Sequence, residues 1–147
     1  MIIIRKLYSF KVEQSDLLNI YILYIRSILE QSCQVWHYDI TQEEVLDLER
    51  VQKCAFRIIL QDDYLSYEHA LQTLEMDTLK ARRDILCLKF AKSCVKHPKA
   101  KGMFPLNTAT DFYTRERETF YVQHAETSRL RDSTIPQLQR ALNAELQ

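Results

Sequence analysis

The scarcity of glycine constrains the fold of this chain more than any other feature of its sequence. Only one glycine and three prolines occur among 147 residues. A β-sheet protein of this length needs many tight turns, and glycine is the residue that most readily adopts turn conformations with positive φ. With 46% hydrophobic and 27% charged residues, the composition favours a folded, helix-rich chain over a sheet protein or a disordered one.

Hydrophobic side chains recur every three to four residues over four segments, which is the pattern of one helix face. Ser15, Ser66 and Thr78 are placed to cap the first, third and fourth of these segments. Thr41 and Glu44 have the spacing of a capping box before the second. We predict an all-α fold, a compact bundle of about five helices, with the first four at about 16–38, 42–61, 66–74 and 78–97.

The segment 98–112 interrupts this pattern with two prolines and the single glycine, a composition typical of a loop. The predicted organisation is a helical bundle over 1–97, a loop-rich segment over 98–112 and a C-terminal extension over 113–147. Ser133, with Pro136 in the first turn, starts a short final helix at about 134–146. Residues 120–122 fit either a short strand or a helical turn, and the pattern leaves both open.

Five ordered stretches together resemble a known family. They are IYILYIRSILEQSCQVWH (20–37), LERVQKCAFRIIL (48–60), TLKARRDILCLKFAKSC (78–94), MFPLN (103–107) and RLRDSTIPQLQRALN (129–143). In this order they resemble the region that follows the polymerase core, as a thumb-like helical extension, in reverse transcriptases of jockey-like non-LTR retrotransposons. The resemblance covers nearly the whole chain. It implies a parent RNA-directed DNA polymerase with an endonuclease, neither of whose catalytic regions is in this chain.

The pair Asp62 and Asp63 superficially matches the paired carboxylates that hold Mg²⁺ in a polymerase palm. The pair follows an amphipathic helix and precedes another helix cap, without the aromatic residue of that motif. We therefore interpret it as a helix-end turn. No serine or cysteine has a recognisable base beside it, so we expect no catalytic residue.

Charge is unevenly distributed although the 20 basic and 20 acidic residues cancel. Residues 80–101 carry eight Lys or Arg and a single acidic residue. At 100° per residue, four of these cations, Arg82, Lys89, Lys92 and Lys96, fall opposite the apolar side of the predicted helix 78–97. The resemblance raises the prospect that such a basic ridge contacts RNA or DNA phosphates without sequence preference. The predicted nucleic-acid-binding residues are Arg82, Lys89, Lys92, Lys96 and Lys101. The alternative is an ordinary solvated helix face, neutralised by the acidic first half of the chain.

Other residues are predicted to have structural roles. Arg83 projects toward the apolar side of helix 78–97 with Leu86 and Phe90, where its guanidinium needs a carboxylate or helix-end carbonyl partner. Tyr24 and Trp36 have core spacing in the first helix. The aromatic residues Tyr113, Phe120 and Tyr121, near Arg115 and Arg117, are weaker candidates for stacking on unpaired bases.

The four cysteines, Cys33, Cys54, Cys87 and Cys94, include no close-spaced pair. Cys87 and Cys94 are two helical turns apart, beyond the reach of a disulfide, and with His97 they lack the spacing of a zinc site. We interpret all four as reduced core thiols, and expect no metal, no cofactor, no small-molecule substrate and no membrane segment. This indicates an intracellular protein of the cytoplasm or nucleus, not a secreted one.

Two alternatives to nucleic-acid binding remain at this stage. The chain could be a protein-interaction module, in which acidic and basic surfaces pair with a parent polymerase or with a second copy. It could also be a remnant reading frame without a selected function.

Overall fold

The computed structural model describes residues 2–106 and 120–146, and the regular secondary structure of these residues is helical. The all-α prediction is confirmed. Backbone contacts group the chain into two units, one formed by Met1–Ser32 and Ile40–Arg83, the other by Cys33–Asp39 and Asp84–Gln147. We predicted a single bundle over 1–97. The structure places the division inside that range, because two separate apolar clusters form, each from the residues of one unit.

The helices follow one another in chain order. They are α1 (Ile2–Ser9), α2 (Gln14–Ile20), a π-helical segment (Tyr21–Arg26), α3 (Ser27–Glu30), α4 (Cys33–Trp36), α5 (Gln42–Leu60), a 3₁₀ turn (Gln61–Asp63), α6 (Tyr67–Thr73), α7 (Leu79–Lys96), a second 3₁₀ turn (Lys101–Met103), α8 (Ser128–Arg131) and α9 (Thr134–Glu145). Helix α7 contributes Leu79–Arg83 to the first unit and its remainder to the second. The 3₁₀ turn at Asp62 and Asp63 confirms the predicted helix-end turn.

The core of the first unit is built by α1, α2, α5 and α6. Tyr21 packs edge-on against Phe56 with their ring centroids 5.5 Å apart, and Phe56 stacks on Tyr67 at 6.1 Å. The apolar residues buried around them are Ile4, Leu17, Ala55, Ile58, Ile59, Leu60 and Ala70. Helix α5 starts with the predicted capping box, in which Glu44 N donates to Thr41 Oγ1 and Thr41 N donates to Glu44 Oε2.

The predicted helix over 16–38 is not continuous. Residues Tyr21–Arg26 are π-helical, and the helix breaks at Gln31 and Ser32, where Ser32 has φ of 52°. A π-helical turn takes more residues than an α-helical turn, so side chains within it and beyond it leave the 3.6-residue phase. Tyr24, predicted to be in the core, is consequently 67% exposed, whereas Tyr21 is fully buried.

A buried polar network joins α5 to α6 and to the start of α7. Glu49 of α5 is buried. Its Oε2 accepts from the Tyr67 hydroxyl, and its Oε1 accepts from the backbone N–H of Lys80 at 2.8 Å. Glu49 thereby satisfies one of the free donors at the N-terminus of α7, which compensates for its burial.

Gln52 extends this network to the core. Its Oε1 accepts from the Tyr21 hydroxyl at 2.6 Å, and its Nε2 donates to the Tyr67 hydroxyl at 3.0 Å and to the carbonyl of Asp77 at 2.9 Å. The side-chain oxygen and nitrogen of Gln52 therefore both have hydrogen-bond partners, as buried polar groups require.

Helix α6 ends in a Schellman motif that lacks the usual glycine. The N–H of Met76 donates to the carbonyl of Leu71 at 2.8 Å, and the N–H of Glu75 donates to that of Gln72 at 3.2 Å. This geometry needs a left-handed residue at the position after the cap, which Glu75 occupies with φ of 51°.

The second unit packs around Cys87, Ala91 and Cys94 of α7. Phe104, Phe120, Leu138 and Leu142 complete its buried cluster. Two predictions for α7 are wrong in detail: Phe90 is 44% exposed and Leu86 only half-buried. The buried face is rotated toward Leu88 and Val95, which pack against the cluster. Trp36, predicted to be in the core, is half-buried.

The C-terminal part is fixed by amide hydrogen bonds. Asn143 of α9 accepts from the N–H of Phe120 at 2.8 Å and donates to its carbonyl at 2.9 Å. Phe120 also forms an isolated antiparallel bridge with Leu106, which is neither the strand nor the helical turn considered for 120–122. In α9, Leu138 and Leu142 are buried as predicted, whereas Ile135 is exposed.

Candidate nucleic-acid interface

Two lysines of the predicted ridge lie free on the surface of the second unit. Lys89 and Lys96 are both exposed on α7, seven residues apart. Seven residues are two turns, so the two side chains project from the same face about 10 Å apart along the axis. Neither forms an ion pair within the described part of the chain.

Lys92 lies on the same face between them but is already engaged. Its Nζ is 2.6 Å from Oε1 of Glu145 at the end of α9, and both side chains are about half exposed. The ion pair neutralises the middle of the lysine row. It also fixes the lysine stem over a small groove of about 210 Å³, whose apolar lining includes Val95, Leu142 and Leu146.

Lys101 extends the row beyond the helix. Its backbone N–H donates to the carbonyl of His97 at 2.9 Å, so the chain turns tightly at the end of α7. The Lys101 side chain is exposed and, among the residues that the structure describes, has no acidic partner. Three of the predicted cations, Lys89, Lys96 and Lys101, are therefore exposed and have no acidic partner among the described residues, and the neighbouring Lys99 is exposed in the same way.

Arg82 differs from the lysines in burial and in partner. It is half-buried in the first unit, with its Nε 2.5 Å from Oε1 of Glu30. The same carboxylate oxygen lies 3.9 Å from Nε of Arg26. Burial, followed by the positive charge of Arg82, lowers the pKa of Arg26. We predicted Arg82 as a member of an exposed ridge, but the structure gives its guanidinium an internal carboxylate partner.

Arg83 lies where the sequence predicted, on the buried side of α7. Its exposed fraction is 0%, which makes it the largest fully buried side chain of the described residues. That Arg83 acts through the stability of the fold stays a prediction.

The aromatic residues predicted to stack on bases differ in their exposure. Phe120 is buried, with its ring centroid 6.5 Å from that of Phe104 in an edge-on arrangement, so its face is not free for a base. Tyr121 is exposed. Tyr113, Arg115 and Arg117 lie outside the described residues.

A His–Asp pair in the second unit was not predicted from the sequence. Nε2 of His37 lies 2.7 Å from Oδ1 of Asp84, and the His37 ring contacts Tyr38 with centroids 4.9 Å apart. Burial, and then electrostatic interactions with Cys87 and Asp84, raise the pKa of Tyr38 to about 12. His37 and Asp84 are 47 positions apart in the sequence, so no local sequence pattern could have predicted their contact.

The remaining chemistry of the described residues is limited. All four cysteines are free thiols, three of them buried and Cys54 half-buried. No group of three or more His, Cys, Asp or Glu side chains in ranges 2–106 and 120–146 is arranged to hold a metal ion. No helix in these same ranges has the length and apolar character needed to cross a membrane.

Comparisons with protein-family models, with curated proteins and with solved structures find no match to this chain.

Proposed function

We propose that this chain is a non-catalytic helical module that binds the phosphate backbone of RNA or DNA without sequence preference. Three lysines of the second unit carry the proposal: Lys89, Lys96 and Lys101, all exposed and without an ion-pair partner among the residues that the structure describes. Each can displace a condensed counterion from a polyanion, which gives affinity that depends on salt and not on sequence. The module acts inside the cell, in the cytoplasm or nucleus.

The resemblance to the post-polymerase region of jockey-like reverse transcriptases is the second support. The resemblance implies a parent that copies element RNA into DNA at a nicked target, so RNA and DNA strands are its substrates. Phosphate contacts without sequence preference suit such a parent, because phosphate contacts carry no sequence information. In this proposal the chain has its origin in that region, and the catalysis belongs to the parent polymerase.

The test is a salt titration of binding to labelled single-stranded RNA, single-stranded DNA and duplex DNA. Three phosphate contacts predict that log K falls with log salt with a slope of about −2 to −3 between about 50 and 200 mM. The triple variant Lys89→Gln, Lys96→Gln, Lys101→Gln should abolish this binding with the melting temperature unchanged.

The matched control removes three other exposed lysines, Lys6, Lys11 and Lys80, which belong to the first unit. Both triple variants lower the net charge by the same amount. Equal losses of affinity in the two variants would show a general charge effect and contradict the proposal. So would a wild-type chain that binds none of the three probes.

A second candidate function is self-association, and one surface favours it. Leu23, Tyr24 and Ile28 of the first unit are 66%, 67% and 70% exposed on the π-helical segment and α3. Neighbouring apolar side chains left in water are a common mark of a protein interface. Sedimentation of the wild type against the Leu23→Ser, Ile28→Ser variant decides this function, which requires a dimer that the variant loses.

A further inference from the structure

A pocket in the first unit has no role in the proposed nucleic-acid interface. It has a volume of about 410 Å³ and lies between α1 and the end of α5. Its lining residues are Arg5, Tyr8, Cys54, Arg57, Ile58 and Gln61. Two of the six carry a positive charge and none carries a negative one, so the pocket is suited to an anion.

The two guanidinium groups are uncompensated. Arg5 and Arg57 are both exposed, and neither forms an ion pair among the residues that the structure describes. Arg57 is held against an aromatic ring, with its Cζ 5.3 Å from the centroid of Tyr64. Stacking of this kind fixes the plane of the guanidinium while its N–H donors stay free.

The end of α5 would oppose an anion unless its carbonyls were satisfied, because a helix C-terminus carries partial negative charge. Gln61 removes much of this opposition. Its backbone N–H donates to the carbonyl of Arg57, and its side-chain Nε2 donates to the carbonyl of Ile58 at 2.6 Å. Gln61 adopts φ of 49° to do so, a conformation that is costly for a residue with a side chain.

We propose that this pocket binds a phosphomonoester. Two positive charges match a ligand with about −1.5 to −2 charges, which a phosphomonoester carries at neutral pH and a carboxylate does not. Each guanidinium can donate two parallel hydrogen bonds to phosphate oxygens, and the Tyr8 hydroxyl is a further donor. The pocket volume accommodates a ring or sugar attached to the phosphate.

The test follows the guanidinium Nε–H signals of Arg5 and Arg57 by NMR during titration of the full chain with phenyl phosphate. Both signals should shift and saturate, and the affinity should fall as the pH is lowered through about 6, where the second proton returns to the phosphate. Benzoate, a monoanion of similar size, should bind at least about tenfold more weakly. Equal affinity for benzoate, or shifts that chloride reproduces, would overturn the proposal.

Single substitutions test whether binding depends on the arginines of the pocket or on nearby positive charge in general. Arg5→Gln and Arg57→Gln should each weaken phenyl phosphate binding about tenfold or more, the usual effect of losing a hydrogen bond between charged groups. Arg5→Lys, which keeps the charge but loses the planar fork, should bind with intermediate affinity. Lys6→Gln removes the same charge from the neighbouring exposed position of α1, outside the pocket. A loss of affinity in Lys6→Gln equal to that in Arg5→Gln would contradict the assignment.

Two sources could supply the phosphomonoester: a small metabolite or the phosphorylated end of a nucleic acid. Displacement of phenyl phosphate by a 5′-phosphorylated oligonucleotide, but not by its 5′-hydroxyl form, would identify the strand end. Displacement by neither form would identify a small molecule. Equal displacement by both would overturn the proposal, because internal phosphodiesters would then suffice. The variant lacking Lys89, Lys96 and Lys101 should keep the pocket intact, so failure of the phosphate-backbone proposal remains a separate result.

Discussion

At the scale of single residues, the Tyr67 hydroxyl links α6 to α5 in the first unit. It donates to the buried carboxylate of Glu49 and accepts from Nε2 of Gln52. Lys53 lies over the Tyr67 ring, with its Nζ 4.8 Å from the centroid. A single oxygen atom thus has two buried polar partners, and both lose hydrogen bonds if it is removed.

Replacing Tyr67 by phenylalanine should therefore destabilise the fold. The variant keeps the ring and its packing against Phe56 but leaves one oxygen of Glu49 and one donor of Gln52 without this partner. Unsatisfied buried groups of this kind cost about 1–3 kcal/mol. Urea denaturation measures the change. Tyr24→Phe, at an exposed position, is the control and should change the free energy of unfolding by less than about 0.5 kcal/mol.

Alkaline pH should weaken the fold through its buried tyrosines. Burial raises the pKa of Tyr38 to about 12 and also raises the pKa values of Tyr21 and Tyr67. The folded state therefore holds these protons more tightly than the unfolded state. Their contribution to stability is complete below pH 10 and is lost as the pH rises toward about 12. Urea midpoints measured across this range should fall, while tyrosinate absorbance of the native chain lags behind that of the denatured chain.

At the scale of the helix, starts were more predictable than ends. Thr41, Ser66 and Thr78 precede their helices as expected, because a capping side chain acts within three residues of itself. The prediction for Ser15 is wrong, because Ser15 lies inside α2, which starts after Glu13. The ends at Ser32 and Glu75 carry no comparable signal, because the left-handed positions are occupied by residues other than glycine. The π-helical segment was equally hidden, since its sequence has ordinary α-helical spacing.

The left-handed position of Glu75 gives a prediction of increased stability. Glu75→Gly removes the clash of a Cβ atom in this conformation, partly offset by the greater freedom of glycine in the unfolded chain. The free energy of unfolding should rise by about 0.5–1 kcal/mol, measured by urea denaturation. The same replacement at Glu68, inside α6, should lower it by about 1 kcal/mol. A decrease in both variants would contradict the Schellman assignment.

The candidate interface was partly predictable at this scale. Helical periodicity alone placed Lys89, Lys96 and Arg83 on their correct sides of α7, because that property depends on neighbours within the same helix. It could not show that Lys92 is paired with Glu145, which is 53 positions away. The rotation of the apolar face, with Phe90 turned outward, also depends on which partner helices cover α7.

The Glu145–Lys92 ion pair should lower the affinity for nucleic-acid phosphates, because it neutralises Lys92. Glu145→Gln releases one more ammonium group into the lysine row, so the affinity for single-stranded RNA should rise. The salt slope should steepen by about 0.7–0.9, the value for one additional phosphate contact. Glu126→Gln, an equal charge change at an exposed residue of the same unit, is the control. Equal effects of the two substitutions would mean that the ion pair does not limit binding.

At the scale of the whole molecule, the chain forms two apolar clusters of different composition. The first is built from aliphatic and aromatic side chains, whereas the second includes two cysteines of α7. The boundary between the units could not be predicted because α7 shows no interruption in its sequence pattern where the division falls, after Arg83. Composition indicated a boundary in the loop beyond it, where proline and glycine occur.

The distribution of thiols between the units should produce two rates of alkylation. Cys33, Cys87 and Cys94 are buried in the second unit, and only Cys54 of the first unit is half-buried. An alkylating reagent added to the native chain should modify Cys54 first and the other three slowly, as measured by mass spectrometry of intact protein. Simultaneous modification of all four would contradict the burial of the three.

The placement of these sulfur atoms has a practical consequence. Each buried thiol can react only during a transient opening of its surroundings. The rate of the slow labelling phase therefore measures how often the second unit opens locally. The molecule therefore reports its own fluctuations through native side chains, without a dye, a tag or an isotope.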